Sequence, residues 1–276
     1  IGWCDWSSDV CSSDLLRTTA RRKKAAARTG LKVSARRIEN GLIAADLDPA
    51  TGVVKRLRDK RSGADLLDRR KGGNVLRFFH DATTARHPVE HGWQPWFIGD
   101  LREFAPRIAT RVTVEEKGPV RGRVRVHRTV RFEKGRPPTI LIQDIVLYAD
   151  SPVLRFETHG DWQARETMVK AEFNLAFECA TLAAEAPYGV AERPPHRDAE
   201  AGLLDADSAA EDRRKELQAH PEPDRYMQRW LDCSDGKRGL AFVNDGKYGY
   251  DADRRQLRLS LLRSPYMRKE LGEVLG

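Results

Sequence analysis

A chain of 276 residues with 40% hydrophobic and 8% aromatic side chains is long enough to bury a real core, which excludes disorder as a starting assumption. No window approaches the roughly 18 uncharged apolar residues of a bilayer-spanning helix, and 33% of the residues are charged, so a helical membrane span is excluded and no membrane partner is expected. The formal charge of +8 does not argue for nucleic acid: residues 1–30 hold six Lys/Arg against three Asp, net +3, and the remaining +5 lies in runs where bases mix with acids, a solvated face rather than a phosphate-tracking stripe.

The opening string from Cys4 to Leu15 has neither helical nor strand period and no signal-peptide core. It resembles translated sequencing-adaptor read-through, and residues 1–15 are set aside as an artefact. Residues 16–30, with Arg17, Arg21, Arg22, Lys23, Lys24 and Arg28 around Ala25-Ala26-Ala27, form a short basic lead-in, helix-prone or disordered. From Leu31 the dominant period is two, and residues 31–265 are expected to form one β-sandwich region.

Turn signals punctuate that region at Asn40-Gly41, Asp48-Pro49-Ala50-Thr51-Gly52, Lys117-Gly118-Pro119, Lys134-Gly135-Arg136-Pro137-Pro138 and Ala149-Asp150-Ser151-Pro152. Between them, residues 123–132 place Val124, Val126, Val130 and Phe132 on one face and Arg123, Arg125, His127, Thr129 and Arg131 on the other, a strand with one wet face. Residues 139–148 are more continuously apolar, as a central strand covered on both faces would be. Residues 168–177 repeat the alternation, with Val169, Ala171, Phe173, Leu175 and Phe177 opposite Lys170, Glu172 and Asn174. The acid-rich stretch 198–220 supplies no core-facing strand and reads as an exposed loop or short helix. Residues 266–276 drift into helix-forming composition, and the chain is expected to be cut at both ends. Successive strands without intervening helical patterns predict an all-β fold, a large antiparallel sandwich.

The chemistry-bearing residues are sparse in pattern. Cys4 and Cys11 fall in the set-aside string, leaving Cys179 and Cys233, too few for a disulfide framework or a thiolate metal site, so a reducing cytoplasm is the expected compartment. Of seven histidines only His87 and His91, with Glu90, approach metal-ligand spacing, in a Pro-containing loop that favours surface histidines. Carboxylate pairs could be drawn from Asp144, Glu157, Asp161, Glu172 or Asp245, but 41 acids always offer pairs. Two aromatic clusters flank turns: Trp93-Gln94-Pro95-Trp96-Phe97 and Lys247-Tyr248-Gly249-Tyr250-Asp251. Such rings either stack on sugars, with neighbouring Asp, Asn and Lys on the hydroxyls, or plug the edge of the sandwich.

Several stretches, in order, resemble the C-terminal β-domain region of glycoside hydrolase family 38 α-mannosidases: residues 39–52, Gly73-Asn74-Val75-Leu76, residues 143–148 and 156–162, Pro187-Tyr188-Gly189-Val190-Ala191-Glu192-Arg193-Pro194, residues 228–232, Asn244-Asp245-Gly246-Lys247-Tyr248-Gly249-Tyr250-Asp251 and Leu261-Leu262-Arg263-Ser264-Pro265. The chain departs from the family's Trp-Asp-Ala-Trp-Asp string at residues 93–100. The resemblance implies a supersandwich of the galactose-mutarotase type, and retaining hydrolysis of terminal α-mannosides by a zinc-assisted carboxylate nucleophile in an N-terminal barrel that, with a helical bundle, precedes these β-domains. No position here matches the zinc ligands or nucleophile, so this stretch is expected to be inactive alone, to need no cofactor of its own, and to have as partners the barrel, the bundle and, through them, the α-mannoside. The residues expected at the substrate or at the domain interface are Trp93, Trp96, Asp245, Lys247, Tyr248, Tyr250 and Asp251, with the two tyrosines of the last cluster on one rim. The alternative is a free-standing carbohydrate-binding sandwich.

Overall fold

The computed structural model describes residues 30–81, 98, 101–195 and 224–265. In chain order the strands are β1 (Lys32–Ser34), β2 (Arg37–Glu39), β3 (Ile43–Leu47), β4 (Val54–Asp59), β5 (Gly73–His80), β6 (Arg102–Phe104), β7 (Arg107–Lys117), β8 (Arg121–Arg131), β9 (Thr139–Tyr148), β10 (Leu154–Asp161), β11 (Thr167–Asn174), β12 (Thr181–Ala186), β13 (Gly189–Arg193), β14 (Arg225–Tyr226), β15 (Trp230–Ser234), β16 (Gly239–Val243), β17 (Gly249–Asp253) and β18 (Gln256–Ser264). Every pairing is antiparallel, and the described residues contain no helix. The expected stretches 1–15, 16–30 apart from Gly30, 198–220 and 266–276, and the cluster holding Trp93 and Trp96, lie outside the described residues.

The strands form a ten-stranded sheet in the order β1-β2-β3-β4-β5-β11-β18-β17-β14, with β6 added at β5, and two four-stranded sheets, β10-β9-β8-β7 and β13-β12-β15-β16. Both small sheets pack on the same face of the long one. Val124, Val126, Ile145 and Leu147 of the first meet Ile38, Leu47, Val54 and Phe173, while Leu182, Leu231 and Cys233 of the second meet Tyr250 and Leu257. The alternation in β8 is as the sequence dictates: Val124, Val126 and Val130 are fully buried while their neighbours stay half-exposed. β9 lies inside its sheet, but it is not covered on both faces as its continuous apolar run suggested: Ile140 and Ile142 stay half-exposed on the side turned away from the long sheet.

Turn chemistry fixes the register. Asn40 caps its own turn, its Oδ1 accepting from the backbone N of Leu42 (2.8 Å) and Ile43 (2.9 Å), while its Nδ2 donates to the carbonyls of Tyr148 and Ser151, both at 2.7 Å. One side chain thus closes a hairpin and staples it to the β9–β10 turn on the facing sheet. Arg128 shares the parity of the buried valines and is itself 3% exposed, bonded to Gln143 Oε1 and the Thr51 carbonyl, both at 3.2 Å, with no carboxylate in reach among the described residues. Burial pushes its guanidinium down to about 10.

Two further expectations need correction. β11 has no wet face: Lys170, Glu172 and Asn174 are as buried as the apolar residues opposite, because charged groups from four other segments close over them. Cys179 and Cys233 are not ordinary unpaired thiols; Cys179 enters β12 beside β15, the two Cα atoms stand 5.5 Å apart, and the sulfurs are joined. Cysteine usage therefore no longer argues for a reducing compartment.

Candidate functional site

The face of the long sheet turned away from the two small sheets carries the densest polar chemistry. Strand register puts Lys170 of β11 beside Ser260 of β18 and Arg77 of β5, and Glu172 beside Arg258. Lys170 is wholly buried, its Nζ donating to Asp224 Oδ1 at 2.6 Å and to Asp251 Oδ2 at 2.5 Å. Arg258 pairs with the other oxygen of Asp251 at 2.7 Å, and Ser260 donates to the other oxygen of Asp224. Two cations against two carboxylates leave the cluster neutral, which is the condition for burying it at all. The Phe79 ring lies under both cations, 5.7 Å from Lys170 Nζ and 5.9 Å from the Arg258 guanidinium.

Glu172 belongs to an adjoining set: it accepts from Arg77 at 2.8 Å and from Asn174 at 3.1 Å, and Arg77 reaches on to Glu103 of β6 at 2.9 Å. The hydrogen bond to Glu172 holds the Arg77 guanidinium above its ordinary value. These groups are mutually neutralised and positioned by strands, so they lock β5, β11, β17, β18 and the entry to β14 together rather than offering a free acid or base. Burial pushes the Asp232 carboxyl up, but its register neighbours are Ala183 and Ala241, so no second carboxylate faces it across either adjacent strand as a retaining hydrolase pair would require.

The sequence cluster 244–251 divides along its length. Tyr250 is fully buried in the core beneath the second small sheet, not on a rim with Tyr248, because it has entered β17, where alternate residues point inward. Asp251, one step on, points the other way into the lysine cluster. Gly249 supplies space rather than a turn: a Cβ there would sit 2.6 Å from Asp224 Oδ2 and 3.2 Å from Ser260 Cβ. Asp245, Lys247 and Tyr248 stay on the surface, in a loop pinned by the Asn244 side chain, whose Oδ1 accepts from the Lys247 backbone N (2.7 Å) and whose Nδ2 donates to the Gln228 carbonyl (2.9 Å). The Met227 backbone N donates to the Tyr248 carbonyl at 2.9 Å. Tyr248 is 54% exposed beside Tyr226, 44% exposed, with ring centroids 6.3 Å apart and planes 33° apart. A third exposed ring, Tyr188, crowns the β12–β13 turn at φ +63, and that turn is tied to the same loop through the Glu185 carbonyl and carboxylate, which accept from the backbone N atoms of Gln228 and Arg229.

Sequence reasoning missed Lys170, Asp224, Arg258, Ser260 and Tyr226. The one signal available was Met168, a large apolar residue on the polar side of β11, which marks that side as covered. The zinc implied by the family resemblance has no fit here: among the described residues no three His, Cys, Asp or Glu side chains converge on a point that could hold a metal ion.

A family model described as the glycosyl hydrolases family 38 C-terminal domain matches residues 38–269. The chain is 29% identical over 232 residues to "Alpha-mannosidase 2C1" of Homo sapiens and 24% identical over 236 residues to "Alpha-mannosidase" of Saccharomyces cerevisiae, covering 83% of this chain in each case. It spans only 19% and 20% of those relatives, about a fifth of their length. An α-mannosidase crystal structure from Enterococcus faecalis V583 superposes with a TM-score of 0.64 over 85% of this chain and 26% of that one, at 14% identity, a likeness of fold. Strands, turns and sequence agree over the same span, and the chain belongs to the glycoside hydrolase family 38 C-terminal domain family.

Proposed function

We propose that this chain serves as the C-terminal β-sandwich of a retaining α-mannosidase, bracing the hydrolytic domains rather than supplying nucleophile, acid or zinc. The observation that carries the reading is the family match across residues 38–269 together with relatives that are named α-mannosidases and extend far beyond the matched span. The neutral, cross-linked lysine cluster supports it, since groups so completely committed to one another stiffen a sheet. Two measurements test it. The purified chain is expected to show no turnover of an aryl α-mannoside with or without added zinc, and turnover abolished by a chelator would overturn the reading. Exchanged for the corresponding portion of an active relative, the chain is expected to restore activity, with Asp251→Asn lowering the melting temperature and leaving KM unchanged.

A second reading, a glycan-contacting surface, is favoured at one place only: the Tyr226–Tyr248 pair, two exposed rings on pinned backbone beside Lys247 and Asp245. In the same hybrid enzyme, Tyr248→Ala raising KM with unchanged melting temperature supports it; unchanged KM excludes it.

A further inference from the structure

The outer face of the sheet β10-β9-β8-β7 sorts its arginines into two sets that the sequence, with bases and acids interleaved, does not separate. Toward the start of β8 every arginine has an acid: Arg121 pairs with Glu116 at 2.6 Å, Arg123 with Glu116 and Asp144 at 3.0 and 3.2 Å, and Arg125 with Asp144 at 2.7 Å. Toward its other end the pairing stops. Arg131 stands directly across from Arg107 of β7, and His127 directly across from Arg111. None of these four has a carboxylate partner among the described residues, and the three arginines are exposed. On the opposite flank β9 offers Ile140 and Ile142, and the acid beyond them, Asp161 of β10, lies two strands from Thr129, about 10 Å away, and accepts from Gln163 Nε2 at 2.7 Å.

Like charges directly opposite each other destabilise a strand pair, and the same sheet shows the ordinary remedy a few residues away. A fold that keeps the repulsion in one half and cancels it in the other holds uncompensated positive charge on a flat surface. We propose that this half of the sheet binds an extended polysaccharide bearing sulfate or phosphate esters. The Arg107–Arg131 pair and the third arginine, Arg111 opposite His127, sit four residues apart along the strands, about 13 Å, with the small neutral pair Ala109 and Thr129 between them and the flat isoleucine surface alongside. That is room for sugar rings between charged substituents. A nucleic-acid duplex is the poorer match, since a flat sheet presents no element that enters a groove.

The test uses the full chain. Because residues 21–24 (Arg-Arg-Lys-Lys) are also basic, retention on a polyanion decides nothing by itself, and the comparison is among variants. Arg107→Ser/Arg131→Thr removes two charges from the patch; Arg70→Ser/Lys237→Ser removes two exposed charges elsewhere. Heparin, a phosphorylated mannan, neutral mannan and duplex DNA are titrated at equal ionic strength. The patch variant is expected to bind heparin or the phosphorylated mannan about tenfold more weakly and the control variant as the parent does, with neutral mannan silent; which of the two anionic glycans depends on the patch identifies the ester. A structural role for the patch is excluded by the melting temperature, which Arg131→Thr is expected to hold or raise because it relieves the like-charge pair and installs a strand-favouring residue. Equal losses in both double variants, no loss in the patch variant, or patch-dependent binding that is tighter to DNA than to either glycan each overturns the proposal.

Discussion

Replacing Lys170 with Met keeps the length of the side chain and deletes its charge from a fully buried position. Asp251 retains Arg258 at 2.7 Å, but Asp224, whose side chain is 8% exposed, keeps among the described residues only the Ser260 hydroxyl. A buried carboxylate stripped of its cation costs about 3–5 kcal/mol, which for a fold of this size lowers the melting temperature by about 6–20 °C. The clean measurement is a urea titration of four proteins: parent, Lys170→Met, Asp224→Asn and the double variant. The double variant is expected to recover much of the loss, giving a coupling of about 2 kcal/mol or more with m unchanged. If Lys170→Met loses less than about 1 kcal/mol, or the two single losses simply add, the cluster does not hold the sheet together and the bracing role fails with it.

Glu39 accepts ion pairs from Arg37 at 2.9 Å and Lys60 at 2.8 Å. Burial raises its pKa, but the hydrogen bonds from Lys60 and Arg37 outweigh that and bring it down to about 2. A carboxyl depressed in the folded state stabilises at pH values above its unfolded pKa, so Glu39→Gln is expected to cost about 2–3 kcal/mol at pH 7, a gap to the parent that closes as pH falls from about 4.5 toward 2; a gap independent of pH refutes this. Gly249→Ala is expected to destabilise by about 1–3 kcal/mol through collision with Asp224, and Asp224→Ala in the same chain should relieve part of it, visible in urea midpoints. Arg128→Met is expected to leave stability unchanged or raise it by up to about 3 kcal/mol, because a buried cation without a carboxylate is exchanged for packing; a loss above about 2 kcal/mol would show that its bonds to Gln143 and Thr51 outweigh its desolvation.

Period-two patterning and turn residues were enough to read the antiparallel sandwich, because β8 and β9 each advertise their burial in their own side chains. β11 could not be read the same way. Lys170, Glu172 and Asn174 alternate with apolar residues as they would on any wet strand, and what buries them, Arg77, Asp224, Asp251 and Arg258, arrives from positions up to 93 residues before and 88 after Lys170. The cluster at 244–251 was visible as a motif, but only the start of β17 at Gly249 decides that Tyr250 turns inward and Tyr248 does not. The joining of Cys179 to Cys233, 54 residues apart, is likewise a product of the β12–β15 pairing and carries no signature in spacing.

The place of β11 between β5 and β18 has a consequence for how the chain is made. Its two flanking strands lie on opposite sides of it in sequence, β5 ending at His80 and β18 beginning at Gln256. As the chain leaves the ribosome, β7 to β10 can pair as a local meander, but β11 then has one neighbour available and one still unsynthesised. Until β17 and β18 emerge, Lys170 lacks Asp251, and the strand offers an open edge with a half-neutralised charge row. Contacts this distant in sequence close slowly, and an unpaired edge is where intermolecular pairing begins. Premature stops after β16 are therefore expected to yield aggregates rather than a smaller soluble sandwich, because a charge row left half-neutralised does not close the edge that β18 covers.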